Sequence, residues 1–421
     1  MIGSKFDDKY LGALFVAIVI SILFLPDVVI SSKWPSFHFV DFLMPFVFLA
    51  VLKKGGIKKW IEYGVLIFAF ISIIFISIAF NDRLCHYRDY FEILKVAKFG
   101  VLAIFASLSI RYVNLNKLLN YSFLILVGIN LIQYFELFNI NYVLKEIYGF
   151  EKEVTFFGKN TIGQPASKRM IGLMGNPNNN AIIFLFFTTW YYNPSLSLRK
   201  SWQLYLSVLM VFMCQSKTAI IALLVIMLIG YGIMSKIKYN INFKAILSKI
   251  GVLILIFGLS FLLDLDYLID SFREGVDFLI NNKYKSTGSG AMSTKGRWEI
   301  WTFLFEMILN KPLIGHGPYK EFFYQRDLFS ENEYILVWWR YGIFGLLSFI
   351  SILVYPIVIA LKNLNNKFAL PLILYTLVIM VSALTNNPML NRDIQALYAL
   401  LLGGFFSNDI WLLKADRFIK D

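Results

Sequence analysis

Long apolar runs, each near the length of a bilayer crossing and joined by short basic stretches, constrain this chain more than any other feature. A helix needs about 20 mostly apolar residues to cross the hydrocarbon core. Inside that core a backbone must satisfy its own polar groups, so only helices and closed barrels span it. Runs that meet or approach this length fall at 10–30, 39–52, 60–80, 93–110, 118–137, 181–192, 202–214, 218–234, 250–265, 336–361, 368–384 and 394–412. The expected fold is all-α: one polytopic integral membrane domain over residues 1–421, with about 12 transmembrane helices. The runs at 39–52, 181–192 and 202–214 are short; they read as spans that extend into polar flanks or are partly re-entrant. Residues 1–10 lack a basic segment followed by a small-residue cleavage site, so the first run is expected to stay as a helix.

The chain is 58% hydrophobic and 16% charged, against about a quarter charged in a soluble domain. That excludes the string of soluble domains its length would otherwise suggest. The net charge of +13 would point to nucleic acid in a soluble protein. Here the basic residues sit at the ends of apolar runs, where they set membrane orientation, and no nucleic-acid partner is expected. The two cysteines, Cys85 and Cys214, form no CxxC pair, so neither a metal site nor a redox site is expected.

Five connections carry only positive charge: Lys53, Lys54, Lys58 and Lys59; Arg111 and Lys117; Arg199 and Lys200; Lys236, Lys238, Lys244 and Lys249; Lys362 and Lys367. The connections between them mix signs, as in Asp82-Arg83 and Arg88-Asp89. The positive-inside rule places the all-basic set, and with it both termini, in the cytoplasm. Two large loops then face outward, 138–180 and 266–335. Within the second, a helix is expected from Arg297 to Asn310, with Trp298, Trp301, Phe305 and Ile308 on one stripe. Lys311-Pro312 ends it, and its aromatics suggest that it lies along the membrane surface.

That loop is also where chemistry is expected, because it is the longest hydrophilic stretch. The groups assigned to the outer side include Arg169, Lys217, Arg297, Glu331, Asn332 and Arg340. Arg169 precedes the run Asn176-Pro177-Asn178-Asn179-Asn180; Lys217 stands just before a hydrophobic run; Arg297 starts the expected surface helix. Fixed cations at an outer membrane surface suit a lipid-linked diphosphate: Arg supplies bidentate donors and Lys a point charge. Each residue also has a structural reading. A basic group near a helix end can simply anchor it. Asn178 or Asn180 can cap the following helix. His316, between two glycines, fits a turn, and Glu331 fits a charge complementing a helix dipole.

The order of the motifs resembles that of the Wzy/WaaL superfamily, the O-antigen polymerases and ligases of bacterial envelopes. The matching residues are Arg169 with Gly175-Asn176-Pro177-Asn178; Ser216-Lys217-Thr218-Ala219; Gly296-Arg297 with Trp301; Pro312-Leu313-Ile314-Gly315-His316-Gly317; and Glu331-Asn332-Glu333-Tyr334 through Gly342-Ile343-Phe344-Gly345. The resemblance covers roughly residues 165–361. In two places the chain departs from the pattern. Ligases of the family carry His where this chain has Glu331, and Lys217 stands where Arg is common. The first difference favours a polymerase.

The resemblance implies a GT-C-like glycosyltransferase of the bacterial inner membrane that is inverting and needs neither metal nor cofactor. Its donor would be a glycan on undecaprenyl diphosphate, and its acceptor a second undecaprenyl-diphosphate-linked oligosaccharide repeat unit. By this resemblance Glu331, Arg297 and Arg169 are the catalytic candidates. Lys217, Asn176, Asn178, Trp301, Asn332, Tyr334 and Arg340 are the substrate-binding candidates. Membrane lipid and a chain-length regulator protein are the further partners it suggests. The competing expectations are an O-antigen ligase acting on lipid A-core and, in another class, a lipid-linked oligosaccharide flippase. The scarcity of charge in the central portions of the spans counts against transport.

Overall fold

The computed structural model describes residues 2–28, 37–55, 60–81, 83–135, 137–148, 169–193, 201–237, 289–326, 328 and 330–407. Apart from an isolated antiparallel bridge between Val28 and Phe37, the described residues form helices and their connections. The helices are α1 (Ile2–Phe24), α2 (Phe39–Lys54), α3 (Ile61–Ala79), α4 (Phe91–Ser109), α5 (Leu115–Tyr134), α6 (Ile140–Tyr148), α7 (Pro177–Tyr191), α8 (Trp202–Met213), α9 (Lys217–Ile237), α10 (Ser289–Asn310), α11 (Lys320–Gln325), α12 (Glu333–Lys362), α13 (Ala369–Ser382) and α14 (Arg392–Phe406). The expected span at 250–265 lies outside the described residues, as do 149–168 and 266–288 of the two large loops.

Five helical stretches among the described residues are long and apolar enough to cross a membrane: Ile61–Ala79, Tyr87–Tyr112, Leu115–Tyr134, Lys217–Ser235 and Glu333–Lys362. Trp202–Met213 and Ala369–Ser382 are apolar but shorter. The chain is thus an all-helical polytopic membrane protein. Large apolar side chains such as Phe68, Leu228 and Phe344 are exposed on the outside of the bundle. Water would penalise such a surface, whereas lipid tails match it.

Asparagine starts many of these helices. The side-chain oxygens of Asn114, Asn176, Asn332 and Asn391 accept from backbone amides in the first turns of α5, α7, α12 and α14. Each satisfies amides that lack an intrahelical partner. Between helices the packing relies on small residues. A Cβ at Gly403 of α14 would lie 2.5 Å from the Ala103 carbonyl oxygen of α4, so only glycine permits that approach, the usual device where no hydrophobic force drives association. Phe99 of α4 stacks on Tyr398 of α14 beside it.

The connections with mixed charge gather at one end of the bundle. Ser77 reaches Ile314 and Arg340, Lys311 reaches Asn81, Asn386 reaches Asn179, and the Glu333 amide reaches the Ala383 carbonyl. At the opposite end Lys54 pairs with Asp8 at 3.5 Å, and Asn366 donates to the Phe405 carbonyl. Among the described residues, the mixed-charge connections thus share one end, and the all-basic ones at 53–55 and 362–367 lie at the other.

The surface helix differs from expectation at its start. It begins at Ser289, so Arg297 lies two turns inside α10 rather than at its N-terminus, and the helix dipole adds nothing to its charge. The stripe differs too. Leu304 and Ile308 are buried, whereas Trp298 and Phe305 are exposed. The buried positions are set by contact with Phe322, Phe323, Leu336 and Trp339, a partner surface that the helical period alone does not reveal.

Candidate functional site

The Pro312–Gly317 motif and Gly342 form one structural unit. Helix α12 is broken at Gly342, where φ is 67° and ψ is −171°, a conformation open almost only to glycine. The break frees backbone groups that a continuous helix would use internally. The His316 amide donates to the Trp339 carbonyl at 2.9 Å, the Gly317 amide to the Arg340 carbonyl at 2.8 Å, and the Ile343 amide to the Pro312 carbonyl at 2.8 Å. The loop must touch the helix backbone to do this. A Cβ at Gly315 would sit 2.5 Å from the Arg340 carbonyl carbon and oxygen, and one at Gly342 would overlap the Leu313 carbonyl. Ser77 of α3 closes the unit: its hydroxyl lies 2.8 Å from the carbonyl oxygens of Ile314 and Arg340 and accepts from the Gly317 amide.

His316 serves this unit rather than a reaction. Its ring stacks on Trp339 at 4.9 Å, and its Nε2 lies 3.0 Å from the Met307 carbonyl oxygen. Burial first, and the Lys311 charge with it, hold the imidazole below its ordinary range, against a partial opposing contribution from the Met307 carbonyl. A base whose folded pKa is depressed adds stability that is complete above its unfolded value of about 6.5 and is lost as pH falls through the lower folded value. Thermal stability in detergent should therefore decline as pH drops from 7 toward 5, and His316→Phe should flatten this decline. An unchanged slope in the variant would rule out the assignment.

The break positions Arg340. Its side chain is buried, its guanidinium lies over the Phe323 ring, and its Nε has no hydrogen-bond partner. It faces a cavity of about 260 Å³ that is also lined by Glu92, Lys95, Lys320, Ser330 and Asn387. Glu92 is buried and bridges two cations: its Oε1 lies 3.0 Å from Lys95 Nζ and 2.7 Å from Lys320 Nζ. Lys320 also donates its amide to Asp89 at 3.1 Å. Glu92 and Lys320 were not among the residues singled out from sequence. The available signal was an acid and a base three apart, Glu92 and Lys95, opening an apolar run; their partner Lys320 is remote in sequence and carries no pattern of its own.

Glu331 and Arg297 meet directly: the Arg297 Nε donates to the Glu331 carboxylate, and both side chains remain partly exposed. Glu331 adopts φ +45°, a strained value for a non-glycine residue, of order 1–3 kcal/mol. Trp301, one turn beyond Arg297, donates its indole N–H to the Ser330 carbonyl at 2.6 Å. The pair is thus held from both sides.

Arg169 forms a second group. Its guanidinium donates to Asn178 Oδ1 at 3.1 Å and to the Cys214 carbonyl at 3.3 Å. Gln215, two residues before Lys217, also adopts a left-handed φ of +49°. Lys217 is the first residue of α9, and the next hydroxyl, Thr218, bonds to that of Thr385. The segment from Ala383 to Asn391 runs between the groups: Thr385 and Asn386 contact the Arg169 side, while Asn387 lines the cavity and the Met389 amide donates to Glu333 at 3.1 Å.

Several sequence candidates have structural duties here. Asn176 caps α7 through the amides of Asn178 and Asn179. Asn332 caps α12 through the Ile335 amide. Tyr334 donates its hydroxyl to the Met380 carbonyl at 2.9 Å. Asn178 is engaged by Arg169. Among the described residues no cluster of His, Cys, Asp and Glu could hold a metal ion.

The helical membrane bundle thus carries, among its described residues, a cationic cavity and a carboxylate–guanidinium pair where its mixed-charge connections meet. The family model described as O-antigen ligase matches residues 203–350, which include Lys217, Arg297, Trp301, Glu331 and Arg340. The match covers about a third of the chain and supports the resemblance to the Wzy/WaaL superfamily and, with it, a part in O-antigen-related glycan processing. No curated protein matches the chain.

Proposed function

We propose that this protein is a polysaccharide polymerase. It joins undecaprenyl-diphosphate-linked repeat units at the periplasmic face of the inner membrane. The observation that carries the reading is the Arg297–Glu331 pair: an acid, already held by a cation, stands where ligases of the resembling family carry histidine. The acceptor hydroxyl attacks the anomeric carbon of the donor from the face opposite the diphosphate. The new C–O bond forms as the bond to the diphosphate breaks, and the leaving group departs with the electron pair. Arg169, Lys217 and Arg297 stabilise the charge that develops on it. When Arg297 turns from Glu331 toward the diphosphate, the freed carboxylate accepts the hydroxyl proton. Trp301 orients the pair through Ser330.

A ligase is the second reading, favoured by the description of the matching family. Purified protein given synthetic lipid-linked repeat units, with and without lipid A-core, separates the two. Elongated lipid-linked polymer is expected, and transfer to lipid A-core without elongation would replace the polymerase by the ligase. A chain-length regulator is a candidate partner of the polymerase.

The proposed orientation puts both termini in the cytoplasm. Cysteines introduced at Lys53 and Ser289 should be labelled by a membrane-impermeant reagent from opposite sides of intact cells. Labelling of both from one side would overturn the orientation and, with it, the periplasmic assignment.

A further inference from the structure

The cavity behind Arg340 is not used by the Arg297–Glu331 chemistry, yet its electrostatics are incomplete. Its walls carry three cations, Lys95, Lys320 and Arg340, and one acid, Glu92; Glu333 lines the adjoining cavity beside Arg340, and Asp89 accepts from the Lys320 amide. Glu92 already engages both lysines. Arg340 is buried with its Nε unpaired. A buried guanidinium without full hydrogen bonding is expensive, and a planar donor fork matches phosphate oxygens.

A second, smaller cavity of about 60 Å³ adjoins the first and shares Glu92, Lys95, Leu336, Arg340 and Leu390 with it. Its remaining lining is mostly apolar, including Phe70, Phe99, Phe349 and Ile352 of α3, α4 and α12. The one further acid there, Glu333, accepts from the Met389 amide. A cationic cavity that shares lining residues with an apolar one between helices suits an amphiphile with an anionic head.

We propose that Lys95, Lys320 and Arg340 form a subsite for a phosphate group carried on an apolar chain, separate from the Arg297–Glu331 pair, and that Glu92 is the internal anion this phosphate displaces. In the resting protein Glu92 neutralises the lysines; an arriving phosphate takes them over and completes Arg340. The chemistry admits two sources, the diphosphate of a lipid-linked substrate and the headgroup of an anionic phospholipid. The subsite rests on the functional reading only for the first of these.

The test is equilibrium binding of labelled polyprenyl diphosphate to the full-length protein in nanodiscs of neutral phosphatidylcholine. Arg340→Gln and Lys95→Gln should weaken binding at this subsite at least tenfold, and inorganic diphosphate should compete with the label. Glu92→Gln should tighten binding by about tenfold and give a larger ligand-induced rise in melting temperature than wild type. Misfolding cannot imitate that gain. With Arg297→Ala the subsite should persist. If Arg297→Ala and Arg340→Gln abolish the same single site, or if Glu92→Gln weakens binding, the proposal fails. Displacement of the label by phosphatidylglycerol in wild type but not in Arg340→Gln would keep the subsite and assign it to a phospholipid headgroup. A protein that binds as described yet forms no polymer keeps the subsite and loses the polymerase reading; normal polymer formation with binding indifferent to these substitutions does the reverse.

Discussion

Glu331→Gln is expected to lower polymer formation by roughly 10²–10⁴, the range typical of a lost general base. The substitution keeps the size of the side chain and an oxygen to accept from Arg297, but the amide cannot take the hydroxyl proton. A residue that only complements the start of α12 would contribute about 0.3–1 kcal/mol, less than tenfold in any rate. The assay is elongation of synthetic lipid-linked repeat units by purified protein whose melting temperature has been checked against wild type. Polymer formation near the wild-type rate would remove Glu331 as the base. Arg297→Ala should be similarly damaging, because it removes a phosphate-binding cation worth on the order of 3 kcal/mol by analogy with an oxyanion donor and leaves Glu331 without its partner. Arg297→Lys should rescue it poorly, since a point charge does not replace a bidentate fork.

The largest effect on stability is expected at Gly342. Its φ of 67° with ψ of −171° is nearly closed to other residues, at about 1–3 kcal/mol for the backbone alone. A Cβ there would also overlap the Leu313 carbonyl, which cannot retreat without losing the bonds that tie 312–317 to the broken helix. Gly342→Ala should therefore exceed the 4–5 kcal/mol that marks exceptional substitutions. It should read out as loss of the folded, detergent-stable protein. Gly128→Ala, inside α5 where an added Cβ meets nothing within 4 Å, is the control. A Gly342→Ala protein that melts with wild type would show that the break tolerates a side chain.

Both predictions depend on how the two glycine motifs and the acid meet. The motif Gly315-His316-Gly317 and the glycines of 342–345 were visible as residues, but not as one unit. What pairs them is a broken ladder of helix hydrogen bonds, whose orphaned carbonyls at Trp339 and Arg340 are satisfied from a loop more than twenty residues earlier. Arg340 was visible as a charge near an apolar run; its burial beside Glu92 and Lys320 was not, because these come from helices α4 and α11.

The sequence by itself determined the helical membrane class, since long apolar runs admit no other satisfied backbone in lipid. The alternation of basic and mixed connections along the chain also set an expectation of which of them share an end, and the described ones follow it at 53–55 and 362–367. The caps at Asn176 and Asn332 were legible as alternatives, because capping is a local competition for nearby amides. Only the tertiary structure decided that Arg297 sits within α10 rather than at its start, that Trp298 faces outward while Leu304 faces in, and that Arg297 meets Glu331. It alone gathered Lys95, Lys320 and Arg340 around one cavity. Periodicity and charge alternation act over one or two turns and can be read along a chain. Pairing between distant charges is set by which helices pack together, and in a bundle held by close backbone approach, as at Gly403 and Gly342, that choice is made in three dimensions.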